Sequence, residues 1–177
     1  MDKRSDEDIR REVQQRLREI EVLREEARDQ QLKFTALTEE QLTRKASGES
    51  AHSPYIYAQG WTSGTTPGST ATYSVYVSNP DPAGYYPLFV TIFFGMANFL
   101  GDGELGLGPS ARHPEWPYLS SAAFGLAAGA TATKSFSYRT PSPIPLGTYT
   151  GNAVLWRGDY HDRGAYLDRG LFEVTLT

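Results

Sequence analysis

Along the first 37 residues the apolar positions form a thin line: Val13, Ile20, Ala27 and Phe34 recur every seven, with Ile9, Leu23 and Leu37 on the flanking position. A seven-residue repeat keeps one seam of a helix facing a partner and implies a left-handed supercoil. Arg16 and Gln30 interrupt the seam, and Leu17 lies beside it. The pattern predicts a long amphipathic, coiled-coil-like helix within residues 1–46, with those seven apolar residues as its oligomer interface. The alternative reading of the same stripe is a single helix packed on the rest of the chain or on another protein.

Local signals support the helix. Ser5 followed by Asp6-Glu7-Asp8 is a capping arrangement, and no Gly or Pro occurs from there to residue 36. Glu7/Arg11 and Glu12/Arg16 are opposite charges four apart in the favoured order. Thr38-Glu39-Glu40-Gln41 is a second capping box, predicting a break near Leu37 and two further turns through Leu42 to Ala46. Residues 47–54, with Ser, Gly and Pro54, read as a linker.

After Pro54 the period changes to two. Tyr73, Val75 and Val77 alternate with polar residues, Asn79-Pro80-Asp81-Pro82 supplies a turn, and Leu88 to Met96 is a nearly continuous apolar strand. Tyr55–Trp61, Ala130–Tyr138, Thr148–Trp156 and Leu171–Thr177 are further strands. Short strands between Gly and Pro turns predict that residues 55–177 form an antiparallel β-sandwich head, so the chain is mainly β with an N-terminal α extension. Leu146-Gly147-Thr148-Tyr149 places a tyrosine where a tyrosine corner would stand.

The turn order, the Ala-Gly-Ala-Thr strand, the Pro-rich Pro141–Pro145 loop, Gly147-Thr148-Tyr149 and the final Phe172-Glu173-Val174-Thr175-Leu176 strand together resemble the immunoglobulin-like domains of bacterial surface proteins, in particular the cell-adhesion-related, CARDB-like group. That resemblance implies an adhesion or assembly module without catalysis.

Charge sharpens the division. Of 38 charged residues, 23 fall in residues 1–46, and the head carries only six Lys or Arg, scattered along it. The net charge of -4 argues against nucleic acid as a partner, because phosphate contacts need a basic face. The absence of cysteine removes disulfides and thiolate chemistry. The opening residues lack the apolar stretch of a signal peptide, and no run is long enough for membrane insertion. Synthesis in the cytoplasm is expected, and release would be in a virion or other particle.

Candidate chemistry is sparse. Asp159-Tyr160-His161-Asp162-Arg163, with Asp168 and Arg169 behind it, is the most enzyme-like cluster, yet it falls where a hairpin loop is expected and no nucleophile motif accompanies it. A hydrolase centred on His161 is the weakest reading. Asn98–Glu104 contains an Asp-Gly turn without the oxygen ladder of a calcium loop, and the three histidines show no metal spacing. Neither a cofactor nor a metal is expected.

The surplus is aromatic. Trp116, Tyr118, Tyr160 and Tyr166 fall near turns or strand ends, where rings serve protein or sugar contacts at small entropic cost. Phe89 and Phe93 form a second apolar face on their strand, predicting an interface with the helix or another subunit. The expected function is a non-catalytic structural or attachment protein, self-associating or docking through its helix, within a phage or injection-type particle. A carbohydrate-binding module is the alternative.

Overall fold

The computed structural model describes residues 5–47, 53–81, 86–96, 116, 119–158 and 165–177. The Asn98–Glu104 turn, the Asp159–Arg163 cluster, His52, His113, Tyr118, Tyr160 and residues 48–52 of the linker lie outside them.

Helix α1 runs Asp6–Asp29, and Ser5 caps it, its hydroxyl accepting from the Asp8 N–H at 3.1 Å. The first turn is acidic, which suits the positive end of the helix dipole. The helix stops eight residues short of Leu37. Gln31 takes a left-handed φ of 57°, and the Leu32 N–H turns back to the Ala27 carbonyl at 2.8 Å, closing the helix without a glycine. Phe34 and its neighbours therefore form a strand, β1 (Lys33–Ala36), which corrects the helix expected there. Helix α2 (Glu39–Ser47) then starts with the capping box as read: Thr38 N–H donates to Gln41 Oε1 at 2.9 Å, and Gln41 N–H donates to Thr38 Oγ1 at 3.2 Å.

Two antiparallel sheets follow. One has the order β1-β2-β3-β7, where β2 is Tyr55–Trp61, β3 Thr70–Ser78 and β7 Thr131–Arg139. The other has the order β5-β4-β8-β9, with β4 Tyr86–Met96, β5 Leu119–Ser120, β8 Gly147–Arg157 and β9 Ala165–Leu176; β6 (Phe124–Leu126) also pairs with β4. Alternation sorts the faces. Tyr73, Val75, Val77, Leu88, Val90, Ile92, Leu155, Phe172 and Val174 meet in one core between the sheets. Phe172 stacks on Tyr73 at 4.3 Å between ring centroids and fills the space opposite Gly151, where a Cβ would lie 2.1 Å from the ring.

The helices cover the outer face of the first sheet. A register shift between Ile56 and Ala58 breaks the alternation of β2, so Ile56 and Trp61 face the sandwich core while Tyr55, Tyr57 and Ala58 face the helices. There they enclose Val13, Ile20, Leu42 and Ala46 in a second core, with Ile9, Leu17, Leu23, Phe34, Ala36 and Leu37 at its margin. The expected coiled-coil seam is thus spent inside the chain. Val13, Ile20 and Ala27 are buried, and a partner helix has no continuous apolar stripe to meet.

Arg16 explains the interruption of that seam. It is 2% exposed beneath α1, its guanidinium 3.5 Å from both Ser78 Oγ and a Glu19 oxygen and 5.7 Å from the centre of the Tyr57 ring. The Tyr55 and Tyr57 hydroxyls donate to Glu12 and Glu19, each at 3.0 Å. A charge in a low-dielectric interface costs several kcal/mol unless paired, so this polar clamp ties α1 to one position on the sheet. Burial first, then the adjacent carboxylate, pushes both tyrosine hydroxyls well above their ordinary range.

Candidate binding groove

The first sheet overhangs the second. Strand β2 packs over the edge strand β9, so β1 projects beyond it. The free edge of β9 is closed by side chains from β2 and the segment after it. Trp61 Nε1 donates to the Glu173 carbonyl at 2.7 Å, Gln59 Nε2 approaches the Leu171 carbonyl at 3.5 Å, and Ser63 Oγ accepts from the Thr175 N–H at 3.1 Å. Gly170 permits the approach: a Cβ there would lie 2.5 Å from Gln59 Nε2. Gln59 is also held from inside, accepting from the fully buried Tyr73 hydroxyl at 2.8 Å.

Between β1, the start of α2 and this edge lies a groove of about 310 Å³. Thr35, Leu37, Gln41, Gln59, Arg169 and Leu171 are among the residues that line it. Its size is at the lower end of the roughly 300–1,000 Å³ usual for ligand sites. Of the lining residues, Leu171 is 37% exposed and Arg169 is exposed, while Tyr166, earlier on the same strand, is exposed outside the groove. Asp168, the carboxylate next to Arg169, is already engaged: its oxygens take the Lys45 ammonium at 3.2 Å and the Ile56 N–H at 2.9 Å. Burial raises the Tyr166 hydroxyl, Asp168 adds to the rise and Arg169 opposes it, which puts all three in one local field. A second cleft, of about 250 Å³, lies beside the first turns of α1, where Asp8 and Arg11 already pair with each other at 3.6 Å.

Sequence reasoning placed Asp168 and Arg169 behind a polar loop; they stand in β9. The other contact residues fare differently. Tyr166 is exposed, its ring edge-on to Trp156 with centroids 6.3 Å apart. Trp116 is corrected from a surface ring to a core one, 3% exposed and stacked on Phe94 at 4.6 Å. Phe89 and Phe93 are also buried, in a cluster with Val154 and Trp156 on the face of β4 and β8 turned away from the sandwich core, while the helices sit on the other sheet. Tyr149 does form the corner, its hydroxyl donating to the Pro145 carbonyl at 2.8 Å. Among the described residues no group of three His, Asp or Glu is placed to hold a metal, and no helix is long and apolar enough to cross a membrane. The groove was missed because its parts are far apart in sequence and none is an unusual residue type.

No family model matches the chain, and no curated protein does. Among solved structures it is similar to the C-terminal domain of wzt, with a TM-score of 0.51 and 10% identity over 82% of this chain and 78% of that one. A CARDB domain from Pyrococcus furiosus, crystallised with di-metal ions, is matched at a TM-score of 0.43 and 16% identity, over 71% of this chain and 86% of that one. The first likeness shows the fold: an immunoglobulin-like sandwich of antiparallel sheets.

Proposed function

We propose that this chain is a non-catalytic attachment module that captures a segment of a partner protein in the groove beside β9. The observation that carries this reading is the exposed Arg169, which lines the groove together with Leu171 on an edge strand whose neighbouring carboxylate is already held by Lys45. An exposed cation beside an exposed aliphatic side chain suits an extended segment carrying a carboxylate and an apolar anchor. The Thr35 and Gln41 side chains add hydrogen-bonding groups without an acid–base pair. The helices act as a brace for the sheet that forms one wall. A sugar platform is a weaker fit, because Trp116 is in the core.

The test is titration calorimetry of the full chain against short extended peptides, with and without Asp or Glu, and against neutral oligosaccharides. Binding confined to acidic peptides, lost at least tenfold in Arg169→Ala, supports the reading. Equal binding by the variant, or binding of the sugars alone, overturns it.

A further inference from the structure

The sandwich treats its strand edges unevenly. The edge of β9 is closed by Gln59, Trp61, Ser63 and Thr65, β1 has four residues, and β5 and β6 have two and three. Strand β7 has nine, pairs with β3 in unbroken register from Thr131↔Ser78 to Arg139↔Thr70, and has no pairing on its other side among the described residues. It contains no proline, and Thr131, Thr133, Ser135 and Ser137 along it are exposed. Its one interior charge does not guard the edge, since the Lys134 ammonium sits 4.3 Å from the centre of the Phe124 ring. A regular edge of this length, unpaired among the described residues, is a template for another strand.

We infer that a second copy of this chain occupies it: β7 pairs antiparallel with β7 of the copy about a two-fold axis at Ser135, joining two four-stranded sheets into one of eight. A copy is favoured over a foreign strand because β7 can pair with itself over its whole length without setting two charged residues directly opposite each other. With Ser135 opposite Ser135, Thr133 meets Ser137, Thr131 meets Arg139 and Ala132 meets Tyr138 of the copy. Lys134 meets an aromatic ring, Phe136, so no like charges face each other. The hydroxyl row on the exposed face continues a pairing already present within the sheet, where Ser74 and Ser135 are joined at 2.8 Å. The groove lies toward β1 and β9, at the opposite edge, so the dimer leaves it open and the two readings stand independently. An edge of nine residues covers less than the roughly 1,600 Å² of a standard interface, so the dimer is a weak one that forms as concentration rises.

The chain has no cysteine, which makes a single introduced thiol diagnostic. Directly opposed antiparallel residues have Cα atoms about 4.5 or 5.5 Å apart, inside the about 4.4–6.8 Å a disulfide spans. Under mild oxidant Ser135→Cys is expected to give a covalent dimer, while Thr43→Cys, exposed on α2, stays monomeric. By light scattering, the unmodified chain should dimerise with rising concentration. Ser135→Glu should weaken the dimer about tenfold or more by opposing like charges, and an equal mixture with Ser135→Lys should restore it. A chain that stays monomeric to about 1 mM, with Ser135→Cys no quicker to cross-link than Thr43→Cys, overturns the inference. So does a dimer that Ser135→Glu leaves unchanged.

Discussion

Ile20→Ala separates a helix braced against its own sheet from a helix that joins subunits. Ile20 is 2% exposed, in the cluster formed with Val13, Leu42, Tyr55 and Tyr57. The substitution removes three carbons, about 2.4 kcal/mol of transfer free energy at ~0.8 kcal/mol each. The cavity adds to this, because the Arg16 clamp holds the helix in place and limits collapse; the total expected is about 3 kcal/mol, within the roughly 2–5 kcal/mol seen for such truncations. The assay is urea unfolding followed by tryptophan fluorescence. Trp61 and Trp156 belong to the sandwich strands and Trp116 to their core, so all three report on the sheets and not on the helix. With a slope of about 2 kcal/mol per molar, the midpoint should fall by about 1.5 M, in one transition. Mass in solution at low micromolar concentration should not change. A midpoint shifted by less than about 0.3 M, together with a loss of mass, would refute the reasoning and restore the intermolecular seam.

Three further outcomes follow from the same contacts. Arg16→Met should destabilise the chain by about 2 kcal/mol by removing the guanidinium from Glu19 and Ser78, and adding Glu19→Gln should recover part of that loss in a denaturant titration. Gly170→Ala should cost about 2 kcal/mol by driving Gln59 off the Tyr73 hydroxyl; a double-mutant cycle should show that cost falling in a Tyr73→Phe background, and full additivity would count against it. The third concerns alkaline pH. Tyr55, Tyr57, Tyr73 and Tyr138 all have hydroxyls raised by burial, so the folded state holds them neutral above the unfolded value near 10. Their contribution is complete below about pH 10 and is lost as pH climbs past it, because the unfolded chain then ionises first. Stability should fall steeply between about pH 10 and 12, with tyrosinate absorbance from these four appearing together with unfolding. Ionisation near pH 10 in a chain that stays folded would refute the assignment.

Strands carried by alternation or by an apolar run between turn residues were legible from the residues. Tyr55–Trp61 is β2 to the residue, the alternating Tyr73, Val75 and Val77 fall in β3, and the strands read at Leu88–Met96, Ala130–Tyr138 and Thr148–Trp156 lie within two residues of those observed. The caps at Ser5 and Thr38 and the corner at Tyr149 were legible for a related reason, since each is a short-range hydrogen bond satisfied by residues within four positions. Strand β1 was hidden because Lys33–Ala36 is too short to show a period and follows a helix that ends on Gln31 and not on glycine. The first half of β9 was hidden by Asp168 and Arg169, which look like loop residues until Lys45 and the Ile56 N–H are seen to take the carboxylate. The groove depends on where two sheet edges meet, and that information is non-local.

The seam of α1 was legible as a pattern and ambiguous as to partner, and the ambiguity is physical. A seven-residue repeat drifts from a straight helix by about 20° per heptad, so over the 24 residues of α1 the line wanders by roughly 70°. That stays within the ≳ 100° stripe with which a helix packs on a globular core, so at this length a coiled-coil seam and a sheet-facing stripe have the same sequence. Polar residues break the tie. Arg16 in the middle of an apolar seam opposes a symmetric dimer, where it would face its own copy, but it is satisfied on a sheet that offers Ser78 and the Tyr57 ring while Glu19 folds back from one turn on. The β2 bulge supplies the other half of the match by turning Tyr55, Tyr57 and Ala58 to one side, a face that strict alternation would have divided between two cores. The two irregularities, a charge in the helix and a slip in the strand, meet each other in the fold, which is why neither could be interpreted alone.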